Sequence, residues 1–531
     1  MKKFFTLLAL VVISYSSFAQ WIPQASGFTT ASRGIQYMDA VNDQVVWASA
    51  YDGSGTGATI NEFTRTVDGG DTWVPGDVLG GTTYGIGNIC GISADIAYVA
   101  LYKGSGNQDN TCGVYKTSDG GVTWTQLPGA LQGSASFANN VYFWNEQEGM
   151  CHGDVRDNYF EIYYTTNGGT TWTRVPAANI ANGTPLSGEG GWTSVIEAVG
   201  DSTIIFGTNK GRVLISHDRG ITWRASVTGI TAVTNGGINE IAFVDENHGL
   251  VAQTATTVAV RRTNDGGLTW EPVTPTGAFL TNDLIAVPGT ESTYVSTGAA
   301  TDLSGISFSY DGVNWEYFTD TEGIQFLAAD FIDPFTGWVG AFNESATVGG
   351  MYKFNGSLIQ PMPPTNLTYE VTGQVFVNLT WNSPVDLGGN LLGYNVWRNG
   401  TIIQSLITDT TYVNEVTVNG GYSYMVTAVY DNGESEPTNT VEVEITGVGV
   451  NSPDLIENLR VYPNPASDII NIKADESIIK LQLVNIAGQI VYESNAVASE
   501  TVINTSDLTQ GLYMLNITSD KGTVTRKISI R

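Results

Sequence analysis

TVDGGDTW, Thr66 to Trp73, is the stretch whose reading decides the fold, because the chain writes it six times. TSDGGVTW stands at Thr117 to Trp124, TTNGGTTW at Thr165 to Trp172, SHDRGITW at Ser216 to Trp223, TNDGGLTW at Thr263 to Trp270, and a shortened SYDGVNW at Ser309 to Trp315. The tryptophans are 51, 48, 51, 47 and 45 residues apart. A period in the forties with several short strands per unit marks propeller blades. Each copy reads as a turn between the third and fourth strands of a blade. Asp68, Asp119, Asn167, Asp218, Asp265 and Asp311 accept turn amides, the glycines supply positive φ, and Trp73, Trp124, Trp172, Trp223, Trp270 and Trp315 pack between sheets. Asn167 in place of Asp, and a sixth copy one residue short with Asn314 for Thr, suit a turn staple better than six active sites.

A second echo joins an apolar strand, a turn and a small-residue strand, at 37–50, 89–101, 142–153, 196–208, 241–253, 284–297 and 329–341. Seven hairpins stand against six boxes. GGMYKFNG (349–356) occupies the place of a third strand with no Trp strand behind it, while WIPQASGF (21–28) looks like a fourth strand with no box before it. The N-terminal strand is therefore expected to pair with Met351 to Asn355 and close a seven-bladed ring over residues 20–357, leaving no free edge. With 62 Gly, 24 Tyr and 13 Trp and no sustained helical period, the fold class is all-β: a seven-bladed β-propeller plus two small β-sandwich domains.

Lys2 and Lys3, the apolar run Phe4 to Ile13, and SFA before Gln20 read as an export signal over 1–19. No Cys follows that run to carry a lipid, no later stretch is long and apolar enough for a transmembrane anchor, and the expected state is a monomer. The formal charge is −29, and losing both lysines leaves 21 basic residues against 52 acidic ones. Such a surface repels nucleic acid and anionic lipid. Cys90, Cys112 and Cys151 are an odd set without metal-ligand spacing, so no metal or other cofactor is expected, and Cys90 with Cys112 is the preferred pair.

The S/T-x-D-x-G-x-T-W pattern resembles the Asp-box of sialidases, xyloglucan-active hydrolases, sortilin-type receptors and photosystem II assembly-factor propellers. Ligands are expected on the face opposite the boxes, where HGDVRDNYF (152–160) concentrates charge and the crossing Ala177 to Trp192 is the longest. Arg33, Arg156, Trp192, Lys210 and Arg212 are the candidate ligand-binding residues of a glycan-binding or protein-binding rim. If the chain is instead a glycoside hydrolase, sialidase-like or xyloglucanase-like, Asp154, Asp157 and Glu189 are the candidate acid and base. The plainer alternative has these carboxylates capping loop amides and pairing with the cations. His152 beside Cys151 makes a poor metal pair, because adjacent strand residues face opposite ways. Resemblance to the sialidases is weakened by the absence of an F-R-I-P strand, Arg33 lying in SRGI. A single seven-bladed ring is most similar to the assembly-factor type, which implies a binding scaffold rather than an enzyme.

Beyond PMPPTNL (361–367), residues 362–447 resemble a fibronectin type III domain, with Trp381 as core tryptophan and Tyr422 as corner tyrosine. Residues 458–531 resemble the type A C-terminal sorting domain of the type IX secretion system of Bacteroidetes: Tyr462-Pro463-Asn464-Pro465, then Gly488, then Gly511-Leu512-Tyr513, then Lys527. NIAGQ departs from the family pattern around its glycine. The resemblance implies type IX secretion machinery as partner, and surface display or release. Truncation before Asn458 should then strand the protein in the periplasm of its host.

Overall fold

The computed structural model describes residues 20–531 apart from 234–235, 256, 374, 386–388, 447–455 and 496–497. The segment 1–19, read as an export signal, lies outside the described residues. The chain divides into two compact units, one built mainly of residues up to 363 and the other mainly of those beyond.

Turn chemistry and alternation make the first unit a succession of seven antiparallel meanders. The innermost strands are Arg33–Ala40, Tyr84–Gly91, Ala138–Phe143, Gly191–Val199, Glu240–Phe243, Asp283–Ala286 and Phe326–Asp333. Each touches the next and the last touches the first, so the sheets ring a central channel. They are numbered here as blades 1 to 7. The fourth strand of blade 7 comes from the other end of the sequence. Trp21–Ala25 pairs antiparallel with Val348–Phe354, Trp21 opposite Phe354 and Ala25 opposite Gly350. Short parallel strands, Ile180–Ala181 and Thr276–Gly277, cover the outer edges of blades 4 and 6.

The boxes join third to fourth strands and repeat one hydrogen-bond pattern. In the fifth copy Thr263 Oγ1 and the Thr269 amide donate to Asp265 Oδ1 at 2.9 and 2.8 Å, and Thr269 Oγ1 donates to Oδ2 at 2.6 Å. Asn167 keeps the pattern with one polarity reversed, its Nδ2 donating to Thr171 Oγ1 at 2.9 Å. In the shortened copy Asn314 Nδ2 takes the threonine's place, donating to Asp311 Oδ2 at 2.7 Å. Gly69 and Gly70 sit at φ +70° and +97°, and a Cβ on Gly70 would lie 2.2 Å from Gln24 Oε1. Box tryptophans bridge blades: Trp124 of blade 2 lies 5.4 Å from Phe63 and 6.3 Å from Trp47 of blade 1.

The expected Cys90–Cys112 pair is not formed; all three cysteines are free and buried. Register explains why. Cys90 is level with Tyr98 near the box end of blade 2, while Cys112 lies beyond the Leu101–Gly113 pair at the opposite end. Several residues at about 3.3 Å each, across two strand spacings, exceed any disulfide reach.

The remaining chain forms small antiparallel sandwiches. In the first, Thr365–Thr372, Phe376–Asn382 and Thr411–Glu415 make one sheet, and Leu391–Arg398, Thr401–Ile407, Gly420–Tyr430 and Val441–Ile445 belong to the other. Trp381 is buried edge-on against Tyr394, and Tyr422 donates its hydroxyl to the Val418 carbonyl at 2.7 Å. In the second, Arg460–Tyr462, Ile469–Ile478 and Ala498–Asn504 form one sheet, and Ile490–Ser494, Lys480–Asn485, Gly511–Ser519 and Gly522–Ile530 the other. Alternating residues such as Ile470, Leu481, Leu483, Leu515 and Ile517 fill its core.

Candidate functional site

At the rim opposite the boxes, the three arginines anticipated as ligand contacts each have a carboxylate partner. Arg33 donates to Asp52 at 2.7 Å and to Glu62 at 2.7 and 2.9 Å. Asp52 is held down at about 2, chiefly by the Thr56 hydroxyl, against the opposing effect of burial. Arg156 reaches Glu161 at 3.0 Å and Ser136 at 2.8 Å. Arg212 forks onto Glu189 through Nε, at 2.9 Å, and Nη2, and also donates to the Asn182 and Thr184 carbonyls at 3.1 Å each. Lys210 is half-buried on the adjoining turn, and Trp192 lines the channel with an indole N–H that has no partner among the described residues.

The three candidate catalytic carboxylates divide two to one. Asp154 and Glu189 both anchor the segment 189–191 between blades 3 and 4, Asp154 by accepting from it and Glu189 by reaching out of it. Asp154 accepts the Gly191 amide at 3.1 Å and Asn139 Nδ2 at 3.0 Å, and burial pushes its carboxyl up. Glu189 accepts Thr208 Oγ1 and the Leu186 amide at 2.8 Å each, with a side chain 0% exposed. Asp157 lies exposed on the turn before Tyr159, 2.7 Å from Arg174, which holds it below its usual range. His152 is stacked 3.8 Å from Phe206 and bonded to Asn140 at 2.9 Å, and burial pulls it down to about 3, so it is a neutral packing residue.

A feature the sequence reading missed lies inside the ring. A channel of about 510 Å³ is lined by the innermost strands and holds Asp39, Glu197, Glu240, Asp283 and Asp330 together with Tyr37, Tyr142 and Trp192. On the innermost strands, one carboxyl or amide side chain of each blade accepts a backbone amide of the next. The Gly91 amide donates to Asp39 at 2.6 Å, Val141 to Asn88 at 2.8 Å and Ser194 to Asn140 at 2.8 Å. The circuit continues with Glu197 at the Phe243 amide and Glu240 at that of Leu284. Ala329 donates to Asp283 at 2.8 Å and Ala40 to Asp330 at 2.7 Å, which completes it. The signal was present as an acidic residue on the innermost strand in MDA, IEA, NEI, NDL and ADF, but only closure brings the five together.

Burial pushes Asp39 and Asp283 up to about 6 and Glu197, Glu240 and Asp330 well above the carboxylate range, the last three also through neighbouring carboxylates. For Asp39 and Asp283 the folded chain holds the proton more tightly than an unfolded one at about 3.9. Their stabilising contribution is therefore full below pH ~4 and is lost as pH rises through about 6. Asp265 has the opposite sign: the Thr269 hydroxyl and amide hold it at about 2, so its contribution is present above ~4 and lost as pH falls. Asn88 and Asn140 already make the interblade bond without charge. Asp39→Asn with Asp283→Asn should thus raise stability at pH 7 by on the order of 1–3 kcal/mol and flatten the fall between about pH 4 and 6. Thermal melts of both proteins across pH 4–8 check this, and parallel profiles would refute it.

Comparison with known proteins assigns the two ends differently. Residues 460–531 match the family described as secretion system C-terminal sorting domain, and residues 88–240 match the photosynthesis system II assembly factor YCF48 family. Chitinase Chi52 of Paenibacillus xylanexedens is 27% identical over 170 residues, covering 27% of this chain and 31% of that enzyme. Chitinase D of Niallia circulans is 30% identical over 128 residues, covering 22% and 23%. The chain thus spans less than a third of either relative. Among solved structures, YCF48 from Cyanidioschyzon merolae is 17% identical with a TM-score of 0.44, over 64% of this chain and 99% of that one. The sorting domain makes this a type IX secreted protein of the cell surface or extracellular space, recognised by that machinery and carrying a β-propeller. No helix among the described residues is long and apolar enough to cross a membrane.

Proposed function

We propose that the propeller is a binding module whose channel takes a cationic or hydroxyl-rich ligand, either a basic protein segment or a glycan. The carrying observation is the set of five carboxylates in the channel of about 510 Å³. Asn does the same structural work in blades 2 and 3, so the interblade bond by itself does not require an acid in the other five blades. Tyr37, Tyr142 and Trp192 add aromatic faces suited to sugar rings or cations. Matching the assembly-factor family fits a binding scaffold. Residues 362–447 are read as a fibronectin type III spacer, supported by the Trp381 core and the Tyr422 corner bond.

Glycoside hydrolysis is the second reading, favoured by local identity to two chitinases. Against it, Glu189 is sealed under Arg212 and Asp157 is paired with Arg174, which leaves neither poised for proton transfer. The full chain should be applied to basic-peptide and polysaccharide arrays, reading retention and new reducing ends together. Retention without cleavage, weakened at least tenfold by Glu197→Gln with Asp330→Asn, is the expected result. New reducing ends that vanish in Asp154→Asn would replace binding by hydrolysis.

A further inference from the structure

We infer that the sorting domain carries a strand-addition site for an extended acidic peptide, in the groove between the free edges of its two sheets. This rests on residues 460–531 being the export signal. The groove, about 780 Å³, runs between Arg460–Tyr462 and the strand Gly522–Ile530 and is lined by Arg460, Tyr462, Asn464, Lys473, Arg526 and Lys527. Four of its residues are cationic, in a chain whose formal charge is −29.

Asn464 shows which backbone groups of the edge strand face outward. Its Nδ2 donates to the Lys527 carbonyl at 2.7 Å and its Oδ1 accepts the Ser529 amide at 2.9 Å. The Ala466 amide donates to Ser529 at 2.8 Å and the Arg531 amide to Ala466 at 2.9 Å. Asn464 to Ala466 therefore imitates a neighbouring strand over 527–531 and caps that part of the edge. Strand alternation directs the amide and carbonyl groups of Thr523 and Thr525 outward in the same way, just beyond the cap. Among the described residues no strand pairs with that edge. An unpaired edge beside a preformed cap is a template for one more strand.

Charge selects what that strand carries. Arg460 stands directly opposite Lys473 in the ladder, a like-charge pair that opposes folding unless an anion lies near. Glu500 meets the Lys473 ammonium from the far side. Arg526 and Lys527 flank the open edge. An incoming peptide with alternating carboxylates reaches both the outward backbone groups and the ammonium and guanidinium of Lys527 and Arg460, whereas a sulfated polysaccharide reaches only the cations. The occupant is accordingly an acidic segment of the export machinery.

The test uses the full chain and a labelled decapeptide of alternating Glu and Val. Binding should weaken at least tenfold in Arg460→Glu with Lys527→Glu, and survive in Arg460→Lys with Lys527→Arg. It should also weaken at least tenfold when alternate peptide amides are methylated. No binding, or equal binding of the methylated peptide or of dextran sulfate, overturns the assignment, the latter leaving a general anion site. Unchanged thermal unfolding of the charge-reversed variant shows that its sorting domain is intact. In a type IX secreting host, truncation before Asn458 and the charge-reversed variant should both leave the protein in the periplasm. If truncation blocks export and charge reversal does not, the groove assignment falls while the export reading stands. If the truncated chain is exported normally, the export reading itself fails.

Discussion

Deleting residues 20–25 is expected to turn the protein into one that aggregates on refolding. The deletion uncovers the outer edge of Val348–Phe354, which Trp21–Ala25 pairs along its length. It also empties the pocket where Trp21, 3% exposed, meets Phe318, Phe331 and Phe354 at 5.5, 6.1 and 5.1 Å. A bare hydrophobic edge recruits other chains, and the Ala40–Asp330 bond that remains between the first and last blades does not cover it. The milder Trp21→Ala should cost about 3–5 kcal/mol, the range for buried aromatic truncation. Urea unfolding followed by tryptophan fluorescence, with light scattering during refolding, measures both. An unchanged urea midpoint for Trp21→Ala would show that the seam does not hold the ring.

Arg212→Ala is expected to be about as severe. Glu189 would be left enclosed without its cation, having lost both guanidinium contacts, and the carbonyls of Asn182 and Thr184 would lose their donor. Breaking a buried pair by removing one partner costs about 3–5 kcal/mol, whereas replacing both by apolar residues of similar volume is close to neutral. Arg212→Met with Glu189→Met should therefore recover most of the loss from Arg212→Ala. Urea unfolding of the wild type, Arg212→Ala and the double Met variant checks this. Because the crossing 177–192 hangs on this pair, Arg212→Ala should also make that loop sensitive to protease before the rest of the ring. Full recovery of stability with persistent loop cleavage would separate the pair's positional role from its energetic one.

The boxes were legible from the sequence because their chemistry closes within a few residues. Asp265 is bonded to Thr263 and Thr269, and nothing distant is needed to form that turn. The same locality explains why Asn167 and Asn314 could be read as tolerated variants: each keeps a donor and an acceptor where the turn requires them. The N-terminal strand was legible by another route, as one fourth strand too few at the end of the array. At the rim the sequence left two readings open, a ligand-binding or catalytic set and a set of carboxylates that cap loop amides and pair with the cations. Asp154, Glu189 and Arg212 stand out as charged residues near a loop, but register and the path of the crossing decide that they bind one another and the backbone. The sequence reading also preferred Cys90 with Cys112, which strand register sends to opposite ends of a blade.

By itself the sequence determined the repeating unit, the number of hairpins, the turn staples and the sorting tail, all set by contacts between residues near in the chain or by an uninterrupted motif. Only the tertiary structure decided the channel. Ala40 donates to Asp330 and Gly91 to Asp39, contacts spanning 290 and 52 residues. A carboxylate on a strand is ordinary until closure of the ring sets it beside four others, half-buries it in the channel wall and raises its affinity for protons. The groove beside Asn464 has the same origin. YPNP is a local string, but its meaning as an edge cap depends on the C-terminal strand that folding lays against it.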